Sequence, residues 1–282
     1  MSIDTISLTR AQLTRVGYVD TAIPAQFVGL DAAAIRAMPW ATPLWAVDDQ
    51  VRIGTAAWFA AMGACRLVFD PVQAADAVLR ADRDTERAQQ ASIAALFTAS
   101  GWAPDSVDLV VLTHIEGIGM VARREDDGSW APFFPKARVL VSREALRAFG
   151  AGRAVDENAD ADARMEREAW QALIDQGRVA AYTDGEQIVP GLRAEVRGGH
   201  GPGHAVLHFE DHEGATEASF IGHLAVSPIH LASGECAALN ADPVRARTLL
   251  DAVAQDGRTL IGPLWPAPGH GRWAEGRVRA GR

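Results

Sequence analysis

Apolar and polar positions in the first half of the chain follow two different periods. Short apolar runs bounded by polar residues or glycine predict strands at 66–70, 108–114 and 138–142. Longer stretches with apolar residues at helical spacing predict helices at 76–100 and 143–150. Gly63 interrupts the apolar stretch 54–69, which predicts a turn between two buried strands.

The second half contains more strands than helices. Strands are predicted at 179–182, 187–189, 192–196, 205–210, 219–221 and 259–261, and helices at 164–176 and 242–254. Asp242 is a typical N-cap, Pro243 suits the first helical position, and Gly257 follows the end of the last helix.

This order of elements predicts the fold class. Strands occur in both halves with helices between them, which favours an α/β protein: two sheets packed face to face with helices outside, a four-layer αββα sandwich. No internal repeat or Ser/Gly linker divides residues 1–282, so we predict a single domain. Asp70, His114, His200 and His223 lie at predicted strand ends or in the adjoining turns, where α/β proteins tend to place their sites.

Composition and charge narrow the classes of partner. The chain has 282 residues, 48% of them apolar, and a net charge of −9. Nucleic acids and anionic membranes attract positive surfaces, so we expect neither as a partner. Residues 1–16 lack the apolar core of an export signal, and we expect a cytoplasmic protein in which Cys65 and Cys236 are reduced.

Several ordered motifs resemble those of metallo-β-lactamase-fold hydrolases. The run Val-Asp-Leu-Val-Val-Leu-Thr-His (107–114) resembles the strand before the family's metal-binding loop, Thr-His-x-His-x-Asp-His. Gly-Gly-His-Gly-Pro-Gly-His (198–204) is similar to its Pro-Gly-His-Thr-Pro-Gly-His turn, and residues 220–231 resemble its Phe-x-Gly-Asp segment. Residues 242–247 and 265–271 are placed as in the lactonase and organophosphate-hydrolase-like branch, so the resemblance covers about 18–273. It implies the four-layer sandwich of this family.

The resemblance transfers only part of the family's metal site. It implies that His114 is the first metal histidine and His200 the histidine of the second motif. Glu116 stands where the family has an aspartate, and His223 stands where it has a bridging aspartate. Gly117 and Leu264 occupy places of metal-binding histidines, and the second histidine of the first motif has no counterpart.

These replacements limit the number of metal ions. Two zinc ions carry four positive charges, which the family's aspartates and bridging hydroxide help to neutralise, so we expect at most one ion here. His114, Glu116, His200 and His223 suit a mononuclear site for zinc, iron or manganese. The alternative is that they are polar residues of a pocket that holds no metal.

Other residues with potential chemistry are expected to be structural. His204 is expected to pack within the glycine turn, and His230 to be a buried histidine with satisfied hydrogen bonds. His208 is expected on a solvated strand edge. Asp70 is expected either to orient the His114 loop or to cap the next helix. No Gly-x-Ser-x-Gly nucleophile motif occurs in the sequence.

Two functional hypotheses remain open. The first is a component of a hydrolase that acts on a small ester, lactone or activated aryl ether with one metal ion or none. In it, His114, Glu116 and His223 are the catalytic candidates. The second is a catalytically silent paralogue that stabilises a metal-bearing partner subunit. The second hypothesis implies a hetero-oligomer with a metal-bearing paralogue. The resemblance also leaves a homodimer open, because members of the family commonly dimerise.

Overall fold

A computed structural model describes residues 2–71, 83–115, 117, 119–151, 161–255 and 257–281. The first sheet has the strand order β1-β2-β4-β5-β6-β9-β10, with β3 paired to β4. Its strands are β1 (Ser2–Ser7), β2 (Gln12–Pro24), β3 (Ala46–Val47), β4 (Gln50–Met62), β5 (Cys65–Phe69), β6 (Leu109–Val111), β9 (Arg138–Ser142) and β10 (Val179–Tyr182). Strands β5, β6, β9 and β10 run parallel to one another.

The second sheet has the order β11-β12-β13-β14-β15-β16-β17. Its strands are β11 (Gln187–Val189), β12 (Leu192–Val196), β13 (Ala205–Glu210), β14 (Thr216–Phe220), β15 (Thr259–Ile261), β16 (His270–Ala274) and β17 (Arg277–Ala280). In this sheet the pair β14–β15 is parallel, and all other neighbouring strands are antiparallel. A separate hairpin is formed by β7 (Ala122–Arg124) and β8 (Trp130–Pro132).

The described helices lie between these strands in the sequence. They are α1 (Ala32–Arg36), α2 (Arg83–Ala99), α3 (Arg143–Ala151), α4 (Ala161–Asp175), α5 (Ile229–Ser233) and α6 (Pro243–Val253). Asp242 caps α6, because its carboxylate accepts a hydrogen bond of 3.0 Å from the backbone N–H of Arg245. Among the described residues, no helix has both the length and the apolar character that a membrane span requires.

Three clusters of buried apolar side chains separate four layers. One contains residues of the first sheet and of α2, α3 and α4. A second joins the two sheets, and Phe69 of β5 meets Phe209 and Phe220 there at ring-centroid distances of 5.5 and 5.6 Å. The third contains residues of the second sheet and of α1, α5 and α6. This arrangement confirms the predicted αββα sandwich.

The sandwich follows from strands that are apolar on both faces. In β4, Trp58 and Ala60 face the second sheet, while Phe59 faces the helices. In β5, Leu67 faces the second sheet and Val68 faces the helices. Successive side chains of a strand point to opposite faces, so a continuous apolar run needs cover on both sides.

Most predicted elements agree with the structure. The predicted strands 138–142, 179–182, 187–189, 192–196, 205–210 and 259–261 have the observed bounds. The strand predicted at 108–114 ends earlier, at Val111, and the helix predicted at 76–100 is described from Arg83 onward. Both cysteines are free thiols, as expected.

Candidate metal centre

Three histidines from different parts of the chain meet at one edge of the two sheets. His114 follows the end of β6 in the first sheet, and His223 lies in a short 3₁₀ turn that follows β14 in the second. His200 belongs to the glycine-rich turn between β12 and β13. Residues that close strands of stacked sheets share an edge, so the fold itself brings these side chains together.

The three imidazoles are buried and close enough to share one cation. His114 and His200 are each 6% exposed, and His223 is fully buried. One ring nitrogen from each histidine lies within 4.8 Å of those of the other two. The ring centroids are 4.6 Å apart for His114–His200, 4.6 Å for His114–His223 and 5.4 Å for His200–His223.

A buried carboxylate determines the orientation of His114. Asp70, which follows β5, accepts hydrogen bonds from the backbone N–H and the hydroxyl of Thr113 at 2.8 and 2.6 Å. The Thr113 oxygen lies 2.8 Å from His114 Nδ1. That hydroxyl has one hydrogen and donates it to Asp70, so it must accept from His114 Nδ1–H. His114 therefore carries its lone pair on Nε2.

An amide determines the orientation of His200 in the same manner. His200 Nδ1 lies 3.1 Å from Asn240 Oδ1. The amide nitrogen of Asn240 donates at 3.2 Å to the backbone carbonyl of Leu224, which fixes its oxygen toward His200. His200 Nδ1 is therefore the protonated nitrogen, and its lone pair also lies on Nε2. Hydrogen bonds of this kind to the second ring nitrogen are typical of metal-binding histidines.

The cluster depends on a close approach of two backbone segments. Gly222 has φ of 56°, and a Cβ there would lie 2.5 Å from Thr113 Oγ1 and 2.6 Å from His204 Nε2. Only glycine fits such a position without displacing its neighbours. His204 is fully buried, with its ring centroid 5.3 Å from that of His114. Its backbone carbonyl accepts hydrogen bonds from the N–H groups of Arg197 and Gly198 within the glycine turn.

Gly117 and Leu264 make structural contacts. The carbonyl of Gly117 accepts a hydrogen bond of 3.1 Å from the Trp170 indole, and Leu264 is 7% exposed within the apolar cluster outside the second sheet. Glu116 lies outside the described residues. Within the described ranges, His114, His200 and His223 are the one group whose donor atoms converge in this way.

These residues fit a transition-metal site. Three imidazoles, two with Nε2 fixed as the lone-pair atom, form a donor set suited to zinc and related divalent ions. Neither Gly117 nor Leu264 has a side chain that can bind metal.

One cavity is lined by a residue next in sequence to His114 and by a residue of the turn that carries His200. It has a volume of about 300 Å³, and its wall combines the charged side chains of Glu166 and Arg167 with the apolar residues Ile115, Ala145, Ala148, Phe149, Ala163 and Pro202. Ile115 directly follows His114, and Pro202 belongs to the turn that carries His200. The guanidinium carbon of Arg167 lies 5.8 Å from the centroid of the Phe149 ring at this cavity.

His208 was predicted to lie on a solvated strand edge, and this prediction is wrong. His208 is 2% exposed, and its ring nitrogens lie 3.0 Å from Ser219 Oγ and 2.7 Å from Glu195 Oε2. The hydrogen bond from His208 lowers the pKa of Glu195. The order Ser–His–Glu resembles a hydrolytic triad, but Ser219 is fully buried in a central strand, where a substrate cannot reach it. This cluster is therefore structural.

The prediction for His230 is confirmed. Its ring is fully buried, and Nε2 donates at 2.8 Å to the backbone carbonyl of Val28. Burial lowers the pKa of His230 from 6.5, and nearby Arg247 lowers it further. His270, which is 7% exposed, also has a pKa lowered by burial. Both rings are therefore neutral in the folded chain at pH 7.

The free energy of unfolding of the metal-free protein is expected to fall as the pH decreases below 6.5. The unfolded chain then binds protons at His230 that the folded chain does not, so stability is complete above this pH and is lost below it. The contribution of one histidine reaches about 1.4 kcal/mol per pH unit. Urea denaturation across this pH range, with His230→Gln and the exposed His212→Gln as control, measures it. The prediction fails if His230→Gln retains the full slope of the wild type.

Two side chains that support the histidines were not predicted from the sequence. Thr113 and Asn240 contact His114 and His200 directly, yet neither belongs to a histidine or acidic motif. The position of Thr113 next to His114 offered a signal for its role. Asn240 lies 40 residues from His200, and only the folded chain shows the contact.

Comparison with known proteins gives matches in structure but not in sequence. No protein-family model matches the chain, and no curated protein matches it either. The hydrolase AbOPH of the beta lactamase superfamily is similar at a TM-score of 0.73 and 18% identity, over 98% of this chain and 95% of that one. The dizinc quorum-quenching lactonase AidC is similar at 0.71 and 16%, over 96% and 92%.

A third similar structure is a probable metal-dependent hydrolase from Staphylococcus aureus, with a TM-score of 0.62 and 14% identity. The similarity covers 94% of this chain and 91% of that one. The neighbours therefore share the whole architecture of the chain and little of its sequence. Together they show that this chain has the metallo-β-lactamase fold.

Proposed function

We propose that the chain is a hydrolase, or the component of one, that uses a single divalent metal ion held by His114, His200 and His223. Its proposed substrates are small esters, lactones or activated aryl ethers. Glu116, outside the described residues, is proposed as a fourth ligand or a general base. The observation that carries the proposal is the convergence of three buried imidazoles, two of them with Nε2 directed by hydrogen bonds to be the lone-pair atom.

The similar structures support the reaction class by analogy. Two of them are described as hydrolases and one as a lactonase, and the lactonase is described as dizinc. Fold alone does not determine activity, so the proposal depends on the histidines. Zinc is the first choice of metal because neutral imidazoles suit it, and iron and manganese are the other candidates.

Some residues of the proposed centre would bind the metal ion, and others would orient these ligands. His114, His200 and His223 would hold the ion, which supplies a Lewis acid and lowers the pKa of a water molecule. Asp70 and Thr113 would keep the His114 ring in one tautomer. Ile115 and Pro202 would exclude bulk water and place an apolar group of the substrate next to the reacting bond. Glu116 or His223 would accept a proton if the reaction proceeds without metal.

The cavity lined by Ile115, Ala148 and Pro202 is proposed to adjoin the centre and to bind the apolar part of the substrate. Replacing Ala148 by leucine is expected to fill part of its 300 Å³ volume. The ratio kcat/KM for an ester with a bulky acyl group should fall about tenfold or more, mainly through KM, while an acetate ester is affected less. Zinc content should not change, because Ala148 is not one of the residues proposed to hold the ion.

Steady-state kinetics with the two esters measures this difference. The matched control is Ala91→Leu on the exposed face of α2, which should leave both ratios unchanged. An equal effect of Ala148→Leu on both esters contradicts the placement of the acyl group.

Metal analysis of protein purified without chelator tests the proposal directly. We expect about one equivalent of zinc, and turnover of an ester or lactone that a chelator removes and zinc restores. Two tightly bound zinc ions would contradict the assignment of a single site. Less than about a tenth of an equivalent, together with no turnover, would exclude the metal-dependent hydrolase.

A second candidate is a silent subunit that stabilises a metal-bearing partner. Gly117 and Leu264, at positions where the family has metal-binding histidines, favour it. In that case the chain alone binds no metal and has no turnover, and activity requires a paralogous subunit. Co-purification with such a paralogue, followed by the same assays, distinguishes the two candidates. A homodimer is proposed for the active form, and its size is measured by light scattering.

A further inference from the structure

We propose that Asn240 is a positioning residue for the metal centre, which joins the loop of His200 to the turn of His223 through the two ends of one amide. This role rests on the proposed function, because it assigns to Asn240 the preparation of His200 for a metal ion. Asn240 would not touch substrate. It lies just before α6 and is 7% exposed.

The acceptor end of the amide acts on His200. Asn240 Oδ1 lies 3.1 Å from His200 Nδ1, and an amide oxygen can only accept a hydrogen bond. His200 must therefore place its ring hydrogen on Nδ1. Without this acceptor, the ring hydrogen can occupy Nε2, where it would block the binding of a metal ion.

The donor end acts on the turn that carries His223. Asn240 Nδ2 donates at 3.2 Å to the carbonyl of Leu224, the residue after His223. A reversed amide would place two oxygens against each other at Leu224 and a nitrogen against the ring hydrogen of His200. The Leu224 carbonyl therefore selects the amide orientation that His200 requires.

Backbone hydrogen bonds next to Asn240 fix its position relative to the glycine turn. The N–H of Ala241 donates at 3.0 Å to the carbonyl of His200, and that of Asp242 donates at 2.8 Å to Gly199. The N–H of Asn240 donates at 3.0 Å to Ala237. The amide is thus fixed from both sides, and its loss removes the acceptor of His200 Nδ1 without removing the backbone contacts.

The experiment compares wild type with Asn240→Leu, which keeps a similar volume and removes both hydrogen bonds. Zinc affinity, measured by competition with a chromophoric chelator, is expected to fall about 10–100-fold, as for other outer partners of metal-binding histidines. Nitrogen-15 spectra of the metal-free protein are expected to show His200 protonated on Nδ1 in the wild type and to show loss of this preference in the variant. The spectra do not depend on activity or on bound metal.

A second substitution covers the case in which Asn240→Leu fails to fold. Asn240→Asp keeps the shape and the acceptor oxygen, so His200 should retain its hydrogen on Nδ1. The matched control is Ser219→Ala, which removes the hydroxyl 3.0 Å from Nδ1 of His208, a buried histidine outside the metal centre. Its zinc affinity and the tautomer of His200 should both equal those of the wild type.

Two results would overturn the proposal. One is a zinc affinity of Asn240→Leu within about twofold of the wild type, well short of the loss expected for an outer partner. The other is a metal-free wild type in which His200 carries its hydrogen on Nε2. If the wild type binds no zinc, the proposed function fails, while the tautomers of His200 in wild type and variants still decide whether Asn240 positions the ring.

Discussion

Replacement of His200 by alanine is expected to abolish stable metal binding and, with it, hydrolysis. The site has three described donors, and two imidazoles alone hold a divalent ion weakly. Zinc affinity should fall by more than the factor of about 100 that marks the loss of an outer partner. Replacement of His114 by alanine should have the same effect. Chelator competition and steady-state kinetics on the purified variants measure both quantities.

The control for this prediction is His212→Ala. His212 is exposed and lies outside the histidine cluster, so its loss should change neither zinc affinity nor turnover. If His114→Ala and His200→Ala retain zinc and full turnover, the centre is assigned to the wrong residues, although the fold stands.

The second large effect is expected for Asp70→Ala, on both stability and metal binding. Asp70 is 1% exposed and accepts two hydrogen bonds from Thr113. Its removal leaves the buried N–H of Thr113 without an acceptor, which costs about 1–3 kcal/mol, while the Thr113 hydroxyl can turn to His114. Alanine also tolerates the φ of 34° less well than aspartate does. Urea denaturation of the metal-free protein measures the loss of stability.

The same substitution should weaken zinc binding about 10–100-fold, because the Thr113 hydroxyl is then free to donate to His114 Nδ1. Asp70→Asn keeps the shape and one acceptor, so it should lose about half as much stability. Asp49→Ala is the control: Asp49 pairs with Arg36 at the surface, its side chain is 56% exposed, and its removal should change stability little. If Asp70→Ala is as stable as Asp49→Ala, the buried carboxylate of Asp70 does not stabilise the fold.

The elements predicted correctly from the sequence are those with local signals. Strands β10 to β13 alternate with glycine-bearing turns, and Asp242, Pro243 and Gly257 mark the ends of α6. The N-terminal hairpin β1–β2 and the C-terminal hairpin β16–β17 were not predicted. Strand β2 contains Arg15, which is 1% exposed and donates at 3.1 Å to the carbonyl of Trp265. A buried arginine breaks the apolar run that would otherwise predict a strand.

In the candidate site, too, only the features with local sequence signals could be predicted. His114, His200 and His223 were predicted because each lies in a motif with a fixed place in the sequence. Their mutual distances, the link from Asp70 and the contact with Asn240 depend on segments that only the folded chain brings together. His208 shows the limit of local reasoning, since its partners Ser219 and Glu195 come from the neighbouring strands of the sheet.

The donors of the candidate centre come from both sheets, with His114 from the first and His200 and His223 from the second. Neither half of the polypeptide alone carries the three nitrogens, so a cation can be captured only after the two halves have docked. Zinc uptake during refolding would then be a late event that reports completed assembly of the sandwich. The bound ion would cross-link residues more than 80 positions apart and stabilise the docked state in proportion to its affinity.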